Sequence, residues 1–168
     1  MTDLAAPPGH FWLASTELKG PLRDDVPYTR QALRYDLRRL EVAWEDCQAS
    51  RQRDAIYGYL ASVFDLVAWW ATERRALERA RQALRLRSIH CRDHDEPFAA
   101  IIACTADAGK VDRRTRSKWS RLLRYALKYK PADESLASFI KAAGGINQAV
   151  SRFAHQARSE GIGKGRAL

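Results

Sequence analysis

Apolar residues recur along most of this chain at helical spacing. Leu33, Leu37, Leu40, Trp44 and Cys47 follow one another at steps of four and three, the stripe of a helix that buries one face. The first helix is predicted from Asp25, with Pro27 in its first turn, where a missing N–H costs nothing. The polar run from Gln48 to Asp54 interrupts the phase. A second stripe of Ile56, Leu60, Val63, Val67 and Trp70 then resumes at the same spacing, widened by Tyr57 and Phe64 on one side and Leu66 on the other. No Gly or Pro stops it, and Ala76, Leu77, Ala80 and Leu84 extend it to about Arg87. A helix over 54–87 would be roughly 50 Å long at 1.5 Å per residue. Two stripes this apolar form an antiparallel hairpin over 27–88. An uncovered hairpin of this kind aggregates, so either the C-terminal helices or a second copy, in a homodimer, must cover it.

The C-terminal part is punctuated more sharply. Asp95 caps a predicted third helix, with Glu96 and Pro97 in its first turn, which runs through Phe98, Ile101, Ile102 and Cys104 to Ala108 and stops at Gly109. Asp112 or Thr115 caps a fourth that ends before Pro131. A fifth, about 134–143, carries Leu136, Phe139 and Ile140; Gly144 and Gly145 turn the chain into a sixth, about 146–158, with Val150, Phe153 and Ala157 inward. No period-two strand and no solenoid-length repeat is present. The expected fold is all-α: a long N-terminal helical hairpin, then about four shorter helices over 95–158. A flexible arm over 1–26, broken by Pro7, Pro8, Gly9, Gly20 and Pro21, precedes it, and a loose tail follows over 159–168. Within the arm, Phe11, Trp12 and Leu13 form an apolar plug expected to dock on the helical body.

Composition narrows the class. The 168 residues, 46% hydrophobic, suffice for a core without disulfide staples. Nine glycines and three cysteines exclude collagen-like and disulfide-scaffold chains. The most apolar run, Tyr59 to Ala71, is 13 residues long and contains Asp65, too short for a membrane span of roughly 20. The irregular Cys47, Cys91 and Cys104, and a start without a basic-then-apolar leader, make a reducing cytoplasm the expected compartment.

Charge changes the picture most. The net charge is +9, and residues 110–130 alone hold nine Lys and Arg against Asp112. At about 100° per residue, Arg113, Arg124, Lys128, Arg121 and Arg114 fall on one face of the predicted fourth helix. Trp119, Leu122, Leu123, Ala126 and Tyr129 fall opposite. Ser117 and Ser120 are small donors on or near the basic face, Tyr125 flanks it, and Arg116 and Lys118 add to its charge. No acidic residue follows Asp112 within the helix, whereas a merely solvated face interleaves Glu with Lys. Such self-repulsion is relieved by a phosphate backbone, and arginine suits bidentate phosphate contact. A second run, Arg74, Arg75, Arg79, Arg81, Arg85 and Arg87, is opposed by Glu73 and Glu78 and reads as a partly ion-paired face.

The stretch from Leu136 through Gly144, Gly145 and Ile146 to Val150 resembles a helix-turn-helix. By that resemblance Asn147, Gln148, Ser151 and Arg152 would face the major groove. The spacing departs from the motif: counted from Gly145, Val150 arrives one residue early.

Catalytic and metal groups are thin. Cys91 and His94 have the spacing of half a zinc site, with His90 beside them, but no second half exists unless Cys104 or His155 folds over. There is no phosphate loop, nucleophile elbow or carboxylate pair in an apolar surround. No enzyme, cofactor or metal is therefore expected. The expected function is binding of DNA, most naturally duplex, by a regulator or an accessory factor in replication, partition or transfer. The alternative is a protein-interaction module that grips with the Trp-rich first two helices and meets an acidic protein with the basic one. RNA binding ranks below DNA, because no exposed aromatic platform is evident.

Overall fold

Thr29 opens the first helix, its Oγ1 accepting from the Ala32 N–H at 3.1 Å. The computed structural model describes residues 28–52, 54–91 and 94–163. Among these described residues seven helices follow in order: α1 (Arg30–Ala49), α2 (Ala55–Thr72), α3 (Ala76–Leu86), α4 (Pro97–Thr105), α5 (Arg113–Tyr129), α6 (Leu136–Ala142) and α7 (Ile146–Gly163). The fold is all-α, and no strand occurs among the described residues. No helix there is long and apolar enough to cross a membrane. The expected start at Asp25, the arm, the Phe11–Trp12–Leu13 plug and residues 164–168 lie outside the described residues.

Several expected boundaries move. The predicted 54–87 helix is two helices, because Arg74 adopts φ +57°. Arg75 N–H then closes onto Trp70 O at 2.9 Å, and Arg74 N–H onto Ala71 O at 3.0 Å, the paired bonds of a Schellman turn. Ser88, at φ +53°, ends α3 the same way, with Ile89 N–H on Leu84 O. Neither position is glycine, so the sequence carries no stop signal. Glu96, not Asp95, caps α4, accepting from the Phe98 and Ala99 N–H groups. That helix ends at Thr105, short of Gly109, and Gly109 N–H instead donates to the Asp107 side chain at 2.8 Å. At the other end, α7 continues to Gly163, five residues past the expected Arg158.

One core joins the elements. On α1, Leu33, Leu37, Leu40 and Trp44 are buried; on α2, Leu60, Val63, Phe64, Val67 and Trp70 are. The cover they require comes from α4, α5 and α6 of the same chain. Trp44 packs edge-on to Tyr59 at 5.1 Å between ring centroids, and Trp119 of α5 closes the cluster at 6.3 and 6.4 Å. Phe64 stacks on Phe98 of α4 at 6.2 Å. α4 is the central pillar, apolar on every side as a wholly buried helix must be: Phe98 to Ile102 and Cys104 are all buried. Tyr59 reaches it with a 2.8 Å hydroxyl contact to Thr105, and burial pushes the Tyr59 phenol up. Trp44 and Trp70 therefore serve the core, while Trp69 alone on these helices is exposed among the tryptophans.

Candidate nucleic-acid interface

The basic helix α5 begins where Asp112 accepts from the Thr115 N–H at 2.7 Å. That bond, then the Thr115 hydroxyl and the charges of Arg114 and Lys118, hold the Asp112 carboxyl below the usual carboxylate range. The back of the helix is fastened by Trp119, Leu122, Leu123 and Ala126, all buried. Tyr125 is also buried, not flanking the basic face. Its ring lies 5.4 Å from Phe139 of α6 and 6.0 Å from Phe153 of α7. Ser120 departs from the expectation too: it is buried, and its hydroxyl donates to Glu96. The helical wheel alone could not show this, because α4 occupies that side.

The stripe itself stands as the wheel drew it. Arg113, Arg114, Arg121, Arg124 and Lys128 are exposed; Arg116, Ser117 and Lys118 are half-buried. Arg121 donates to the Ser117 hydroxyl at 3.2 Å. The Arg124 guanidinium lies over Phe153 at 5.5 Å. The Arg116 Nε is buried and unpartnered among the described residues. No carboxylate of the described residues lies within 4.0 Å of Arg113, Arg114, Arg116, Lys118, Arg121 or Arg124.

The second basic run is the counterexample. Arg75 pairs with Glu78 at 3.3 Å, Arg79 with Glu73 at 2.5 Å, Arg81 with Asp95 and Arg87 with Glu41. Arg79 is buried, with its guanidinium 4.1 Å from the Tyr28 ring centroid. Charge here is spent inside the molecule. The arginines of α5 have no such partner among the described residues, although neighbouring like charges about 8 Å apart repel by about 0.5 kcal/mol even in water.

Asn147, Gln148, Ser151 and Arg152 are all exposed on the first two turns of α7. Gly144 and Gly145, at φ +88° and +94°, make the turn before them, with Gly145 N–H on Ile140 O at 2.8 Å. α6 docks chiefly on α2, and α7 on α5. Because Phe153 contacts both Arg124 and Tyr125, α7 borders the basic stripe. Ser151 donates to the Asn147 carbonyl at 3.0 Å within its own helix.

Sequence reasoning missed two groups at the edge of the stripe. Asp95 and Glu96 line a cleft of about 370 Å³ together with Ser117, Ser120, Arg121 and Arg124. Only the cap signal before Pro97 marked them, and it pointed to structure. His90, Cys91 and His94 line a groove instead of converging, and no set of three metal-ligating side chains forms among the described residues. No family model, curated protein or solved structure matches the chain.

Proposed function

We propose that this protein binds nucleic acid, duplex DNA in the first place, by laying the outer face of α5 along a phosphate backbone. The observation that carries the reading is the contrast between the two basic runs: four of six arginines near α3 are paired with carboxylates, while the arginines of α5 have none among the described residues. Arg113, Arg114, Arg121, Arg124 and Lys128 supply the phosphate contacts, with Arg116, Ser117 and Lys118 at the margin. Asn147, Gln148, Ser151 and Arg152, exposed on the helix that borders the stripe, supply the base-edge contacts in this reading. Such a protein acts as a regulator or as an accessory factor in DNA replication, partition or transfer.

The test is fluorescence anisotropy on a labelled duplex across a salt series. About six neutralised phosphates give a log–log slope near about −5. The triple variant Arg113→Gln, Arg114→Gln, Arg121→Gln should weaken binding more than about tenfold for every sequence and reduce the slope by about 3, with helicity unchanged. No binding at low salt, or binding indifferent to salt, would end this reading.

A further inference from the structure

A hollow lies at the C-terminal end of α3. It is a groove of about 790 Å³ lined by Arg81, Leu84, Arg85, Ile89, His90 and His94. The left-handed Ser88 makes it, by folding Ile89 back onto the end of α3. Leu84 is buried and Ile89 half-buried, so one part of the lining is apolar. Arg85, His90 and His94 are exposed, and Arg85 has no carboxylate partner among the described residues. Asp95 holds Arg81 and lies 3.4 Å from His94 Nε2. The same Asp95 lines the cleft that contains Arg121 and Arg124. Asp95 therefore stands between the groove and the α5 stripe.

A convex stripe suffices for backbone phosphates. A hollow with aliphatic side chains, two imidazoles and the guanidinium of Arg85 suits something else: a flat, largely apolar body that carries an anion. Its volume is that of a small-ligand site. We propose that this groove seats an unpaired nucleotide of the nucleic acid held by α5. The base lies against Leu84, Ile89 and the imidazoles, and the phosphate meets Arg85. The inference rests on the nucleic-acid reading of α5 and narrows it: the partner is a duplex with an adjoining single-stranded tail. Stacking on flat side chains tolerates any base, so the preference is for structure, not sequence.

The experiment compares three labelled DNAs by anisotropy: a blunt duplex, the same duplex with a single-stranded tail, and that tailed duplex with abasic sugars in the tail. The full chain should bind the tailed duplex about tenfold more tightly than the blunt one, and the abasic tail should lose most of that gain. Arg85→Gln with His90→Ala, both at exposed positions, should abolish the preference and leave blunt-duplex affinity within about twofold. Equal affinity for tailed and blunt duplex overturns the groove and leaves α5 standing. A preference kept by the abasic tail or by the double variant overturns it as well. Failure of all three DNAs to bind at low salt removes the α5 premise, and this inference with it.

Discussion

Two non-glycine residues end helices in the left-handed region, which yields a stability prediction of unusual sign. Arg74 sits at φ +57° and Ser88 at φ +53°. Left-handed backbone costs an L-residue about 1–2 kcal/mol. Replacement by glycine removes that cost but adds about 0.5–1 kcal/mol of chain entropy to the unfolded state. Arg74→Gly and Ser88→Gly should therefore each stabilise the protein by about 0.5–1 kcal/mol, where most substitutions destabilise. Arg74→Gln removes the same charge without freeing the backbone and should change little. The glycines of the α6–α7 turn run the other way. Gly144 is at φ +88°, and a Cβ there would lie 3.1 Å from Gln148 Cγ; Gly145 is at φ +94° with nothing within 4 Å of its Cβ position. Gly145→Ala should cost about 1–2 kcal/mol in backbone strain alone, and Gly144→Ala at least as much. Urea unfolding followed by circular dichroism measures all five, with an unchanged m-value required for the comparison. If Arg74→Gly matches Arg74→Gln, or destabilises, the strain assigned to this turn is not there.

Two further outcomes follow from buried groups. Glu96→Ala frees the Phe98 and Ala99 N–H groups and the buried Ser120 hydroxyl together. It should cost about 2–4 kcal/mol, against less than half of that for Glu96→Gln, which keeps an acceptor; the same urea titration decides. Burial pushes the Cys104 thiol from its ordinary 9.0 up to about 12. Above pH 9 the unfolded chain thus releases a proton that the folded one retains, and stability should fall as pH rises through that window. Cys104→Ala should soften the fall, and thiol-specific labelling of the native protein at pH 8 should leave Cys104 unmodified.

Much of the helical framework was legible because amphipathic periodicity is local. The four-three stripes placed Leu33, Leu37, Leu40 and Trp44, and Leu60, Val63, Val67 and Trp70, and each of these is buried. Asp112 and the paired glycines marked helix ends by side-chain chemistry that any reader of sequence can see. The break at Arg74 was not legible, since a left-handed arginine carries no compositional mark. The inward turn of Ser120 and Tyr125 was equally hidden. Both sit at the margins of the wheel, where the neighbouring helix decides burial: α4 claims Ser120, and α6 and α7 claim Tyr125. The pairing of arginines is a tertiary fact too. Nothing in the order of residues shows that Arg81 meets Asp95 or Arg87 meets Glu41 across 14 and 46 positions, respectively.

Because Trp119, Leu122, Leu123 and Ala126 pin α5 to the interior, its cations form a ruler and not a brush. A basic tail loses its freedom anew at every encounter with an anion; here the backbone ordering of that segment was settled when the chain folded. A polyanion bound as proposed would have to match a preset spacing of charges along about 22 Å of helix, so geometry, and not charge number alone, would sort it from others.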